Sequence, residues 1–215
     1  MLKMNLLSNI KKGNQYQLIV FTLLFVAVWG NSLIGTTDMA NWIIENTLTV
    51  ISLIFLISTY RAFRFNNFSY LLLCIFLCMH VYGSKYTYAE NPLGFYFQEI
   101  FNSPRNQYDR FVHFSFGLLL FYPMWECFSK WLKYPENVAL TVPSLLVVSV
   151  GAFYEIIEWL VADLFFAEQG ISYLGTQGDI WDAQKDMAVA IAGVCIATAL
   201  FYFYNLSNRK TINNS

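Results

Sequence analysis

The 215-residue chain is 57% hydrophobic and 19% aromatic, with 13% charged residues and a net charge of −1. Soluble domains carry about 25% charged residues, so this chain has too few to cover a water-facing surface and reads as an integral membrane protein. The balanced charge provides no basic field for nucleic acid, and the length leaves no room for a separate soluble domain.

A helix needs about 20 apolar residues to cross the hydrocarbon core. Six runs approach that length, at 16–34, 42–60, 68–83, 111–128, 138–160 and 187–204. They predict an all-α, polytopic bundle forming one domain over 1–215, with a polar tail at 205–215. Lys3, Lys11 and Lys12 precede the first run as in a signal peptide. That run is too long, and AVWGNS is a poor cleavage site, so it reads as an uncleaved helix. The third run is short and must borrow from its neighbours, whereas the fifth stays apolar to Phe166, as a tilted or interfacial extension would. Pro123 and Pro143 are expected to kink their helices. Gly117, Gly151 and Gly193, with Ala190 and Ala192, are expected to allow close helix contact. The four cysteines (Cys74, Cys78, Cys127, Cys195) lie in or beside apolar runs without a CxxC pair, which suits packing better than a disulfide or zinc.

Six spans put both termini on one side. With that side cytoplasmic, nine Lys and Arg residues fall inside and four outside, as the positive-inside rule requires. The carboxylates sort the other way, with only Glu126 and Glu136 on the inner side. Glu126 is expected to reach the interface or to pair with Lys130, four residues on.

The outer ends of four spans carry the ionisable residues. The third ends in CMHVYGSKYTYAENP, with His80, Tyr88 and Glu90. The fourth begins RNQYDRFVHF, where Asp109 and His113 are four apart and share a helix face behind Arg105 and Arg110. The fifth ends in FYEIIEWL, with Glu155 and Glu158 three apart. The sixth is introduced by GTQGDIWDAQKDM, in which Gly175 and Gly178 suggest a turn and Asp179, Asp182 and Asp186 follow with Lys185. Some of these aspartates suit a helix N-terminus for its dipole alone. Ionisable groups inside a membrane mark functional sites by default. The expected acid/base set is therefore Asp109, His113, Glu155, Glu158, Asp182 and Asp186. Ligand contacts are expected from Arg105, Arg110, His80, Tyr88, Glu90, Asp179 and Lys185, with the arginines holding an anionic group. His113, Asp109, Glu155 and Asp186 have the donor types of a divalent-metal site, but no HExxH or ExxH motif is present, so a metal is left open. A salt-bridged lid that only orders the loops would use the same residues.

The segments YTYAENPLG, RNQYDRFVHF, EIIEW and GTQGDIWDAQKDM resemble those of the YjdF-like bacterial inner-membrane proteins, a family of unknown function. This resemblance runs from His80 to about Gly193 and implies a multi-pass protein of the bacterial cytoplasmic membrane, without an activity. A looser likeness is to VanZ-like membrane proteins, associated with glycopeptide resistance. Asp109, His113, Glu155 or Glu158, and Asp186 occupy comparable places there, but the GTQGD loop departs from that pattern. The leading functional expectation is binding or modification of a lipid or envelope-precursor headgroup at the outer leaflet, with membrane lipids as surroundings. A transporter and a structural accessory protein are the alternatives; enzyme status and oligomeric state are left open.

Overall fold

The computed structural model describes residues 2–165 and 176–213, with side chains described for 15–164 and 176–207. The described residues form seven helices and no strand: α1 (Leu2–Leu33), α2 (Met39–Thr59), α3 (Asn67–Lys85), α4 (Pro92–Ile100), α5 (Tyr108–Glu126), α6 (Glu136–Phe165) and α7 (Asp182–Asn213). All but α4 are long and apolar enough to cross a membrane, over Gln15–Leu33, Met39–Thr59, Asn67–Lys85, Tyr108–Trp131, Glu136–Leu164 and Asp182–Ser207. The all-α, six-span architecture expected from the sequence is therefore present.

Most helices begin before their apolar runs, because polar residues cap the first turn. Asp38 accepts from the amides of Ala40 and Asn41 at 2.9 and 3.0 Å, and Asn66 accepts from Ser69 N at 2.8 Å. The third span consequently reaches 19 residues. The fifth remains one helix to Phe165, while Phe166 and Gly175 lie outside the described residues. Both α5 and α6 continue through their prolines, and α5 passes into a π-helical turn at Cys127–Trp131. The backbone of α7 is helical to Asn213, beyond the expected start of the polar tail.

α4 is a departure from the expected loop. Asn91 accepts from Leu93 N at 3.0 Å and Pro92 occupies the first turn, a combination that starts a helix. Leu93, Phe95, Tyr96 and Ile100 on α4 are exposed, so this short helix presents an apolar surface at the end of the bundle.

Two three-helix groups make up the bundle. α3 packs against α1 and α2; α5 packs against α6 and α7, which also pack on each other; α3 and α5 join the groups. α2 and α6 are not among the closely packed pairs. The tightest crossing joins α5 and α7. A Cβ added at Gly117 would lie 2.0 Å from Ala190 O, and one at Gly193 would lie 2.2 Å from Phe114 O. Small residues let the two backbones touch, as expected. Gly151 differs from that expectation: no atom lies within 4 Å of its missing Cβ, and it borders a cavity. Ala192 is exposed.

At the opposite end from α4, Glu126 is 2% exposed and joins α5 to the start of α3. It accepts from Asn66 N at 3.1 Å, Ser69 Oγ at 2.5 Å and Lys130 Nζ at 3.2 Å. The Lys130 pair was expected; the contacts to α3 follow only from the tertiary packing.

Candidate polar site at one end of the bundle

The segments quoted from the sequence meet at the α4 end, and several of their residues serve the loops. Asn106 replaces the missing side chain of Gly94, where a Cβ would lie 1.7 Å from Asn106 Oδ1. Its Nδ2 donates to Asn91 O at 2.8 Å, and its amide donates to Gln177 Oε1 at 2.8 Å. ENPLG, RNQYD and GTQGD are thus tied by one clasp. Gly178 has φ +86°, as the predicted turn requires.

His80 belongs to this framework. Its Nε2 lies 3.1 Å from the carbonyl oxygen of Glu45, which can only accept, so Nε2 carries the proton. Nδ1 is then the acceptor for the Tyr88 hydroxyl at 2.5 Å. Both ring nitrogens are occupied, which makes His80 a neutral clasp between α2, α3 and the 86–91 loop, and it borders the same cavity as Tyr88 and His113. Tyr88 is held at φ 53° and lies over Gly83, where a Cβ would meet its ring at 2.5 Å. Burial raises the Tyr88 hydroxyl well above its ordinary pKa, so it stays a donor. Glu90 is exposed.

The first layer inward consists of ion pairs between α5, its preceding loop and the start of α7. Arg105 pairs with Asp182. Arg110 Nη2 reaches Asp179 at 2.6 Å and Asp182 at 3.3 Å, and its Nε lies 3.8 Å from Asp186. Lys185 completes the set with Asp179 at 2.7 Å. The Lys185 hydrogen bond, aided by Arg110, holds the Asp179 carboxyl well below the usual carboxylate range. Burial, and then the nearby Arg110, lowers the Arg105 guanidinium from its ordinary value. Arg105 and Arg110 are committed to aspartates, because three carboxylates of one short segment face them.

One turn deeper, His113 sits between two carboxylates from different helices. Its Nε2 is 3.5 Å from Asp109 Oδ1 and 3.5 Å from Glu155 Oε1. His113 is 8% exposed. Asp186, from α7, is 2% exposed and lies close enough to Asp109 and Glu155 to feel both charges. Carboxylate oxygens of Asp109, Asp182 and Asp186 fall within 4.8 Å of one another. Glu158 adjoins Glu155 and Tyr154. All six expected acid/base residues are thus brought to one region, in the order Asp182 and Asp186, Asp109 and His113, Glu155 and Glu158.

Two functional candidates are new. Glu45 on α2 is 8% exposed, and its Oε2 accepts from the Tyr154 hydroxyl at 2.8 Å. That bond spans the gap between α2 and α6. An isolated carboxylate one turn and a half inside span two is itself the sequence signal for Glu45, by the rule that such groups are rarely idle in a membrane.

Below this layer is a cavity of about 190 Å³. Tyr88, Asp109, His113 and Tyr154 form its polar roof, and Leu48, Phe116, Leu120 and Val150 belong to its apolar lining. Ser52 and Leu120 lie twelve or thirteen residues into their spans, which at about 1.5 Å rise per residue is roughly 18–20 Å below the α4 end.

The fold and this region together define a class: a six-span membrane bundle with a buried histidine–carboxylate layer over an apolar cavity. Residues 17–207 match the family described as "Predicted membrane protein (DUF2238)", and the chain belongs to that family. It is also 33% identical over 170 residues to Inner membrane protein YjdF of Escherichia coli (strain K12), covering 78% of this chain and 80% of that protein. The chain is accordingly a multi-pass inner-membrane protein, as its sequence segments implied. No solved structure matches it.

Proposed function

We propose that the protein takes up a lipid-like amphiphile, a lipid or lipid-linked envelope precursor, and places its headgroup against His113. The observation that supports this most is the continuity of one cavity from the His113–Asp109 layer into the apolar interior, beside a gap between α2 and α6. The apolar floor suits a segment of an acyl chain, and the roof suits a polar headgroup. The Lys and Arg distribution favours an orientation in which this end faces the outer leaflet. In that layer His113 serves as general base or acid, with Asp109 and Glu155 at 3.5 Å to orient it and stabilise its charged form. Glu45 and Tyr154 close the roof from the other side. The arginine ion pairs act as a lid and leave the cavity with acidic, imidazole and phenol groups, which suits an amine- or hydroxyl-bearing headgroup over a bare phosphate. A transport path is disfavoured, since between this layer and Glu126 the described spans contain no Asp, Glu, Lys or Arg.

Gly151→Leu tests the reading. The Cβ position is open and the site is helical, so the leucine enters the cavity without a backbone clash. Protein purified in mild detergent is analysed for bound lipid by mass spectrometry. The wild type should retain a defined amphiphile that Gly151→Leu loses while remaining monodisperse. Equal lipid content in the two proteins, or bulk lipid composition in both, would reject the proposal.

A further inference from the structure

We propose that Asp109, Asp182 and Asp186, with His113 and Glu155 beside them, bind one divalent cation of the Mn2+ or Zn2+ class. The charge balance of the layer points there. Four carboxylates (Asp109, Glu155, Asp182, Asp186) share it with two guanidiniums, Arg105 and Arg110, and Arg110 is also drawn to Asp179. Ionising all four would leave two negative charges in a region of low dielectric, where unpaired carboxylates are costly.

The second observation is independent of charge. Asp186 is 2% exposed, yet its Oδ1 makes no hydrogen bond, and the same holds for Glu155 Oε1. Arg110 Nε, the cation nearest Asp186 Oδ1, stands off at 3.8 Å and is likewise without a hydrogen-bond partner. Buried oxygens of this kind ordinarily find a donor, a water or an ion. A carboxylate oxygen of Asp186 lies within 4.8 Å of one of Asp109, and Asp109 Oδ1 and Glu155 Oε1 each lie 3.5 Å from His113 Nε2.

The spacing fits a metal. Bonds of about 2.0–2.2 Å to oxygen and nitrogen put neighbouring ligands roughly 3 Å apart and opposite ones a little over 4 Å apart. The three aspartate oxygens lie within 4.8 Å of one another and need little contraction to close on an ion. His113 Nε2 lies 3.5 Å from Asp109 Oδ1, next to the aspartate trio and outside it; drawn onto the ion it would give carboxylates with one imidazole, which suits Mn2+ or Zn2+, whereas an all-oxygen set would favour Mg2+ or Ca2+. The three aspartates come from α5 and α7, and the α5–α7 backbone contact at Gly117 and Gly193 fixes the distance between those two helices. The Arg105–Asp182 and Arg110–Asp179 pairs hold the start of α7 in place.

The experiment uses full-length protein without a histidine tag, stripped with chelator, loaded with Mn2+ or Zn2+ alone, and desalted. Metal per chain and melting temperature are measured for wild type, Asp186→Asn, Asp109→Asn, His113→Ala and the exposed control Glu99→Gln. Wild type and control should retain about one ion per chain and melt higher with metal. Each site variant should lose at least tenfold in affinity. Wild type that takes up neither metal, with no rise in melting temperature, would overturn the proposal; so would an Asp109→Asn or Asp186→Asn protein that binds as wild type does. Gly151→Leu should keep its ion, which separates failure of this site from failure of the lipid reading.

Discussion

Gly193→Ala is the substitution whose effect the α5–α7 crossing predicts most sharply. The new Cβ would sit 2.2 Å from Phe114 O and 2.9 Å from Leu118 N, where ordinary contact begins at 3.4 Å. The first shortfall is 1.2 Å, and the opposing atoms are backbone, so no side chain can swing aside. The helices must separate by about 1 Å. Overpacking costs about 1–3 kcal/mol, and so large a shortfall against backbone falls in the upper part of that range, about 2–3 kcal/mol, offset by about 1 kcal/mol because alanine favours helix over glycine. The net loss is about 1–2 kcal/mol, which at about 2–4 °C per kcal/mol for a chain of this size lowers the melting temperature by roughly 2–8 °C. Gly30→Ala is the matched control, since nothing lies within 4 Å of its Cβ position. It should melt at or slightly above wild type. Thermal unfolding in one detergent, followed by tryptophan fluorescence and by retention of the monodisperse peak, reads both. A Gly193→Ala protein as stable as wild type would refute the backbone contact, and with it the fixed spacing of the aspartates from His113.

Two further outcomes follow from named contacts. Glu126→Ala leaves Asn66 N and Ser69 Oγ without their buried acceptor and should cost about 2–3 kcal/mol in thermal unfolding, with Glu126→Gln costing less. The Asp179 carboxyl is held below its ordinary pKa chiefly by Lys185, so its pairing stabilises the fold above the usual carboxylate range and fades as pH falls below it. Asp179→Asn should therefore lower the melting temperature at neutral pH, and the gap to wild type should narrow in acid and in high salt.

Hydropathy made the spans legible because lipid contact demands an apolar surface along the whole crossing. It placed several ends a few residues short, since Asp38, Asn66 and Asp182 are polar yet belong to caps or first turns. The nine residues of α4 were missed because an amphipathic segment that short is indistinguishable from a loop by periodicity; the Asn91–Pro92 start was the available signal. In the candidate site, helical spacing alone put Asp109 beside His113 and Glu155 beside Glu158. The partners of charges are a tertiary property. Sequence offered Arg105 and Arg110 as anion ligands, whereas the return of α7 directs three aspartates at them. His80 and His113 looked alike in composition and depth, and only the Glu45 carbonyl and the Tyr88 hydroxyl separate the clasp from the reactive candidate.

The account's central claim is that the His113 layer roofs a cavity that a lipid-like molecule occupies. The most direct measurement is an experimental density map of the protein reconstituted in bilayer discs of its native lipid. The account predicts elongated density running from His113 towards Ser52 and Leu120, absent in Gly151→Leu. An α2 helix packed against α6, with no space left between Leu48 and Val150, would contradict it.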